Sequence, residues 1–322
     1  MIISKTPFRV SLFGGSTDYE SFYSRFGSSL IGFCLDKYAY LSIRKTPRIL
    51  PYKTRLTYSR TEILNSNNDI QHSAIKGVLD YCNIKFGLEL NHCSDLPSQT
   101  GTGSSSSFIV GLLNSIYALN GKEFSKKQIA NIAIEIERKI LGEPGGIQDQ
   151  IWASYGGLNS ITIDKSGDFQ VKPMPVSEEF KQEFISRSIL VYTGGTRKSF
   201  DIARSVDRST NEPHKKDILH ISKEAYSSFL ESDIDQIGVL LQKGWNLKKK
   251  LSKFISSVHV DILYDELKRS GMIGGKLMGA GKAGFIFVIV KDSPAKELIK
   301  KKYKNNYIDF SIDEEGSKII NR

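Results

Sequence analysis

Residues 96–113 read Leu-Pro-Ser-Gln-Thr-Gly-Thr-Gly-Ser-Ser-Ser-Ser-Phe-Ile-Val-Gly-Leu-Leu, a glycine and serine loop running straight into an apolar helical pattern. Gly101 and Gly103 let the backbone approach a ligand closely. The first turn of a helix adds unpaired N–H groups and the positive end of its dipole, which together suit phosphate. The serine hydroxyls can serve phosphate oxygens or a hydrated metal. The same composition also describes a flexible linker. The flanks oppose that alternative: Leu88, Leu90 and Leu96 precede the loop around a strand, and Ile109, Leu112, Leu113 and Ile116 follow it at i, i+3, i+4, i+7 spacing. No Gly-Lys-Ser/Thr closes the loop, which excludes a Walker A motif, and Ser106 stands where a dinucleotide fingerprint needs its third glycine.

Two carboxylates follow. A helix is expected from Ser125, where Gln128 completes a capping box, with Ile129, Ile132, Ala133, Ile136 and Ile140 on one face and Gly142 and Pro144 ending it. Glu137 falls on the flank of that face with Ala133 and Leu141, while Glu135, Asn131, Arg138 and Lys139 point away. A carboxylate at a core edge is paired with a cation or ligates a metal, because an uncompensated buried charge is costly. Beside a phosphate loop, Mg2+ is the functional alternative, since it takes one or two carboxylates, a hydroxyl and phosphate oxygens. Asp149 lies in Gly145-Gly146-Ile147-Gln148-Asp149-Gln150, expected as a glycine-rich turn. There it is either a local Asx cap or, in a kinase, the group that accepts a hydroxyl proton. A third glycine cluster, residues 274–284, is expected as a loop between a helix and the strand at 285–290: a tight connection, or a backbone lid over a ligand.

The elements that must position these groups form an α+β pattern. Phe8, Val10 and Leu12 alternate as in a strand, Tyr38, Tyr40, Ser42 and Ile43 continue the extended character, and Gly14-Gly15-Ser16-Thr17-Asp18-Tyr19 forms a polar loop between them. Strands are expected at 156–163 and 188–193, and helices at 215–231, 234–254 and 258–270. A chain of 322 residues suits about two domains, and the charged interval at 178–183 divides it into 1–180 and 181–322. Lys and Arg total 45 against 35 Asp and Glu, a net charge of +10 that suits an anionic partner. The lysine runs at 248–250 and 300–302 sit in amphipathic helical stretches without interleaved aromatics, so no nucleic-acid partner is expected. No apolar run nears the ~20 residues that span a bilayer, and the start lacks a signal-peptide pattern. The expectation is a cytoplasmic protein with no membrane partner. Cys34, Cys82 and Cys93 are too scattered for a disulfide framework or a zinc site.

Taken in order, Thr6-Pro7-Phe8-Arg9 through Gly14-Gly15-Ser16-Thr17-Asp18-Tyr19, then Leu96-Pro97 through Ser107, then Lys276 through Gly284 resemble the three signature motifs of the GHMP kinases. Within that superfamily, the first segment, the Asp-Leu-Pro before the loop and Gly142-Glu143-Pro144 through Gln150 look most like the D-glycero-D-manno-heptose 7-phosphate kinases. Those enzymes phosphorylate the C1 hydroxyl on the route to activated heptose for surface polysaccharide.

The resemblance implies a ribosomal S5 domain 2-like N-terminal part, a ferredoxin-like C-terminal part and an active site between them, with ATP and Mg2+ as cofactors and a sugar phosphate as acceptor. It assigns Pro97, Thr100, Gly101, Thr102, Gly103, Ser104, Ser105, Ser106 and Ser107 to ATP, and Ser105 and Glu137 to Mg2+. Asp149 would act on the sugar hydroxyl, with Arg9 lowering the charge cost beside it. Gly14, Gly15, Ser16, Thr17, Asp18, Tyr19, Gly279, Gly281 and Lys282 would face substrate. Arg197 and Lys198, in the glycine and hydroxyl-rich stretch 193–199, would receive the sugar's 7-phosphate, and residues 51–62 would neighbour the adenine. Two departures stand out. Thr102 replaces an apolar loop residue, and Lys282-Ala283 replace a glycine pair, placing a positive-φ demand on Ala283 and an ammonium by the cleft, where Lys282 either contacts a phosphate or faces solvent. Other acceptors of the superfamily, namely galactose, fucose and mevalonate, are the alternatives. A non-catalytic sensing or nucleic-acid-binding relative is the alternative from another class.

Overall fold

The alternation at the start of the chain becomes a long antiparallel hairpin: β1 (Ile2–Phe13) against β2 (Ser28–Lys45), with Thr6 opposite Ala39 and Val10 opposite Phe33. The computed structural model describes residues 1–195, 200–207 and 211–322. Between the two strands, the polar loop leads into a short helix, α1 (Glu20–Phe26), whose buried Phe22 anchors it. Next come β3 (Thr54–Thr57), β4 (Thr61–Leu64), α2 (Ser73–Tyr81) and β5 (Leu88–Ser94). The glycine and serine loop then enters α3 (Ser104–Leu119), and Ile109, Leu112, Leu113 and Ile116 are all buried, as their spacing demands.

The next helix, α4 (Lys126–Glu135), opens with the expected capping box between Ser125 and Gln128. It does not continue as an ideal α-helix. Residues Ile136–Ile140 form a π turn, closed by the Leu141 N–H donating to Ile136 O at 2.9 Å. The extra residue in the turn shifts the register of everything after it. Ile140, expected on the buried face, is exposed, and Arg138, expected to point away, turns into the cavity described below. A second correction concerns Asp149. It lies in the first turn of a helix, α5 (Gln148–Tyr155), rather than on a glycine-rich turn. The half closes with β6 (Leu158–Ile163) and β7 (Phe169–Pro173).

The rest of the chain contains α6 (Glu178–Ser186), β8 (Ser188–Tyr192), α7 (Phe200–Asp207), α8 (Glu212–Leu230), α9 (Ile234–Leu251) and α10 (Val258–Arg269). It ends with β9 (Met272–Leu277), β10 (Phe285–Val290), α11 (Ser293–Tyr303), β11 (Tyr307–Ile308) and β12 (Lys318–Asn321). The third glycine cluster is therefore not all loop. Its first four residues, 274–277, are the end of β9, paired antiparallel with β10, and Gly274 and Gly275 pack there where side chains do not fit. A Cβ on Gly274 would stand 1.8 Å from Gly238 O in α9.

The larger sheet runs β12-β1-β2-β5-β3-β4, with β6 beside β2 and β7 beside β6; the smaller runs β11-β8-β10-β9. The last strand thus returns to the edge of the first hairpin. One apolar core joins the two sheets: Phe33 of β2 packs on Phe184, Phe287 and Phe310, with ring centroids 6.1, 5.8 and 5.4 Å away. That shared core holds both walls of the cleft in a common frame. Among the described residues no helix is long and apolar enough to cross a membrane, and the three cysteines are free thiols.

Candidate active site

Arg9 joins the first two motifs to α5. β1 changes register against β2 between Pro7 and Arg9, an irregularity of the kind that re-aims a side chain. The buried guanidinium makes a two-pronged pair with Asp149: Nε donates to Oδ1 at 2.8 Å and Nη2 to Oδ2 at 2.7 Å. Nη1 donates to Gly101 O at 2.5 Å, and the Arg9 N–H donates to Thr102 O at 3.0 Å. Planar fork-to-carboxylate pairing fixes orientation as well as charge. Asp149 is thereby held against the phosphate-type loop.

The loop itself needs its glycines. Gly101 has φ +86° and lies so close to the third motif that a Cβ would stand 2.4 Å from Met278 O. Gly103 takes the left-handed conformation and starts α3, and the Ser107 N–H closes the first helical bond to Gly103 O at 2.9 Å. The N–H groups of residues 104–106 precede that bond and have no partner within the helix. Gly101, Gly103, Ser104, Ser105 and Ser106 line one side of a cavity of about 210 Å3, with Arg9 and Asp149 in its wall. Pro97, Thr100, Thr102 and Ser107 do not line it. Thr100 Oγ1 donates to Pro97 O, Ser107 Oγ donates to Pro7 O, and the Thr102 hydroxyl sits 3.5 Å from that of Thr100, so these residues shape the loop from behind.

Glu137 faces the same cavity. It is buried, its Oε1 has no hydrogen-bond partner among the described residues, and Arg138 Nη2 stands 3.5 Å from Oε2. Burial pushes its carboxyl up to about 7 from 4.5, against the pull of Arg138 and the Ser106 hydroxyl. Ser106, not the exposed Ser105, is the hydroxyl in contact with Glu137, though both border the cavity. An orphaned buried carboxylate oxygen beside hydroxyls is a donor set that fits Mg2+. No trio of His, Cys, Asp and Glu among the described residues could form an all-protein metal cage. A metal shared with phosphate oxygens needs none.

The raised Glu137 has a measurable consequence. Between about pH 4.5 and 7 the folded chain holds a proton that the unfolded chain has released, so stability falls as pH rises through that window. In EDTA, Glu137→Gln is expected to melt above the parent at about pH 8, with the gap closing toward about pH 5. Melting curves showing the same gap at both pH values would remove this account of the burial.

Asp18 sits on the opposite side, fully buried. Its Oδ1 accepts from the Ser16 N–H at 3.1 Å, and its Oδ2 accepts from Gln148 Nε2 at 2.9 Å. Burial raises its pKa, and Asp149 raises it further. Gly146 packs directly on this carboxylate; a Cβ there would stand 1.7 Å from Oδ2. Gly146→Ala is therefore expected to lower folding stability by about 1–3 kcal/mol, the usual cost of overpacking, and to raise the acceptor KM. Urea titration and steady-state kinetics check the two halves of that statement. Lys276 of β9 is buried beside Asp18 and donates to Leu12 O at 3.0 Å; burial, with Arg9, pushes it down to about 7. Lys248 of α9 reaches the cavity and donates to Gly279 O at 2.5 Å.

A family model for the GHMP kinases N terminal domain matches residues 70–157, and one for the GHMP kinases C terminal region matches 225–309. The chain belongs to the GHMP kinase family. It is 27% identical over 332 residues to the D-glycero-alpha-D-manno-heptose 7-phosphate kinase of Campylobacter jejuni, covering 98% of both chains. It is 28% identical to the mevalonate kinase of Methanocaldococcus jannaschii, covering 96% of this chain and 98% of that one. A D-glycero-D-manno-heptose 1-phosphate kinase structure from Bacteriodes thetaiotaomicron superposes with a TM-score of 0.82 at 23% identity, covering 100% and 99% of the two chains, a likeness of fold. This GHMP kinase is accordingly a phosphotransferase, with the family's two-domain α+β fold.

Within this GHMP kinase, the first motif divides by role. Gly15, Ser16, Asp18 and Tyr19 line the cavity, whereas Gly14 and Thr17 do not. A Cβ on Gly14 would meet Ser29 O at 1.9 Å, and Thr17 Oγ1 bonds Gly14 O and Ser28 Oγ, so both pin the loop to β2. In the third motif Gly279 lines the cavity. Gly281 packs on Ile255, and Lys282 is exposed with its ammonium 5.0 Å from the Phe254 ring centroid. Neither fits a substrate contact in this arrangement. The left-handed strain expected at Ala283 falls on Lys282, at φ +68°. Arg197 and Lys198 lie outside the described residues. Pro51 and Tyr52 border a separate surface groove rather than the cavity. Sequence reasoning assigned no role to Ser11, Arg138, Gln148, Lys248 or Lys276, all cavity-lining. Gln148 and Lys276 carried a usable signal, a polar residue next to Asp149 and a lone cation on an apolar strand. Ser11, Arg138 and Lys248 carried none.

Proposed function

We propose that this GHMP kinase transfers the γ-phosphoryl group of ATP to the C1 hydroxyl of D-glycero-D-manno-heptose 7-phosphate, giving the 1,7-bisphosphate used to build nucleotide-activated heptose for surface polysaccharide. The observation that carries the reaction class is the Arg9–Asp149 pair clamped to Gly101 O at the edge of the glycine and serine loop. Gly101 and residues 103–106 would wrap the ATP phosphates with N–H groups and the N-terminal end of α3, with Thr102 and Ser107 shaping the loop behind them. Asp149 would orient the acceptor hydroxyl and take its proton as the oxygen attacks the γ-phosphorus and the bond to the β-phosphate breaks. Arg9 keeps Asp149 in place and offsets charge near the transferring group. Phosphoryl transfer asks mainly for such positioning and charge stabilisation. Glu137, with the hydroxyls of Ser105 and Ser106, would hold Mg2+, which neutralises phosphate charge when bound.

The acceptor assignment draws on the near full-length similarity to a heptose 7-phosphate kinase and on the polar side of the cavity formed by Asp18, Gln148, Ser11 and Lys276. A polyhydroxylated ring can satisfy those groups. Mevalonate offers fewer hydroxyls to do so, although identity to the mevalonate kinase is 28% against 27%. An acceptor panel of heptose 7-phosphate, galactose, fucose and mevalonate, followed by ADP release, tests the assignment. Preference for a non-phosphorylated acceptor would overturn the substrate, and absence of ATP consumption with every acceptor would favour the non-catalytic alternative.

A further inference from the structure

The acceptor side of the cavity holds polar groups that phosphoryl transfer itself does not use. Ser11 Oγ of β1 and Gln148 Oε1 of α5 are buried and have no hydrogen-bond partner among the described residues. The Gln148 amide is oriented by its other end, since Nε2 donates to the Asp18 carboxylate. Its Oε1 is therefore an acceptor facing elsewhere. Lys276 approaches from the other half of the chain. Leu12 O takes one of its three N–H donors, leaving two for a ligand. Ser11 Oγ, Gln148 Nε2 and Lys276 Nζ stand 3.3, 3.7 and 4.0 Å from the point that a Cβ on Gly15 would occupy. The three side chains thus enclose a space that exists because residue 15 is glycine. Buried polar atoms are almost always paired, and the unpartnered Ser11 Oγ at this gap, together with the unpartnered Oε1 of the cavity-lining Gln148, fits a partner that arrives with the ligand.

We infer that Lys276, Ser11 and Gln148 form a specificity-determining wall that binds two neighbouring hydroxyls of the acceptor sugar, one donating to Gln148 Oε1 and one accepting from Lys276. This deepens the sugar-phosphate kinase reading and rests on it. Ser11, able to donate or accept, serves either hydroxyl. A phosphate group fits this wall poorly, because the Asp18 carboxylate and Gln148 Oε1 would both face its oxygens. An acceptor lacking one of the two hydroxyls leaves a buried group unpaired, the situation in which sites discriminate most strongly.

Steady-state kinetics with D-glycero-D-manno-heptose 7-phosphate and ATP test the inference on the full chain. At a pH below about 7, where Lys276 is protonated, Lys276→Met is expected to raise the acceptor KM roughly 10- to 100-fold, the equivalent of a hydrogen bond to a charged group, and Ser11→Ala about fivefold, with the ATP KM within about twofold. Gly15→Ala puts a methyl into the enclosed space with no positive φ to strain it, and should reproduce the acceptor effect with the buried lysine intact. With mono-deoxy analogues of the sugar, the Lys276→Met penalty should vanish for the analogue missing the hydroxyl that Lys276 holds. Unchanged acceptor KM in both Lys276→Met and Gly15→Ala, with an active parent, overturns the inference and leaves the kinase reading standing. If the parent phosphorylates no sugar offered, that reading falls. Calorimetric titration of the heptose phosphate into parent and variants then decides the inference alone: weaker binding in the variants supports it, and equal binding, or none to the parent, overturns it.

Discussion

Asp149→Asn is expected to lower kcat by roughly 10^2- to 10^4-fold, the range that a positioned proton acceptor contributes, while ATP affinity stays within about threefold. Both oxygens of Asp149 are held by Arg9, and Arg9 is held in turn by Gly101 O, so the carboxylate meets the loop in a set orientation. The amide keeps the size of the side chain and loses the ability to take a proton. It also presents an N–H2 to the guanidinium, so Arg9 shifts and part of the fall comes from lost positioning. Asp149→Ala goes further and leaves a buried guanidinium with one partner fewer, which costs stability as well as turnover. ADP release gives kcat, and titration of a fluorescent ATP analogue gives the affinity. A variant within about tenfold of parental kcat would remove Asp149 from proton transfer.

Gly101→Ala carries the second large effect, and it acts on the nucleotide side. At φ +86° an alanine is strained by about 1–3 kcal/mol, and its methyl would also collide with the Met278 carbonyl at 2.4 Å. Backbone on both sides leaves nothing flexible to give way. The loop must lift from the third motif, moving the N–H groups that would wrap phosphate and the carbonyl that orients Arg9. The expected result is a rise of roughly tenfold or more in the ATP KM, with a melting temperature lowered by several degrees. Gly121→Ala is the control, since Gly121 has φ +69° but nothing within 4 Å of a Cβ. Its alanine variant shares the conformational strain without the collision. Equal losses in the two variants would assign the Gly101 effect to φ alone.

The parts of the site that were legible in the sequence are those built from local interactions. Gly101 and Gly103 before an i, i+3, i+4, i+7 apolar face specify a helix with an open first turn, and Ser125 with Gln128 specify a cap, because both patterns close within a few residues. Glu137 stood out for the same reason, as a carboxylate on the flank of an apolar face. Arg138 did not, because an ideal helical wheel turns it outward and only the π turn at Ile136–Ile140 swings it into the cavity. β9 was hidden by Gly274 and Gly275, whose composition reads as loop, while the missing side chain of Gly274 lets α9 pack closely on the strand and that of Gly275 clears the Phe287 carbonyl of β10.

The sequence by itself determined the α+β class, the helix that presents the loop serines, and the order of three glycine motifs that marks a GHMP kinase. Tertiary structure alone decided which side chains meet. Arg9 and Asp149 lie 140 residues apart, and Lys276 and Leu12 lie 264 apart, distances over which no spacing rule operates. Their contacts follow from the hairpin of β1 and β2, the entry of α5 and the shared core around Phe33, which together set where each backbone passes. Burial then supplied what composition could not: the upward push on Glu137, the downward push on Lys276 and the orphaned oxygens of the cavity-lining Ser11 and Gln148.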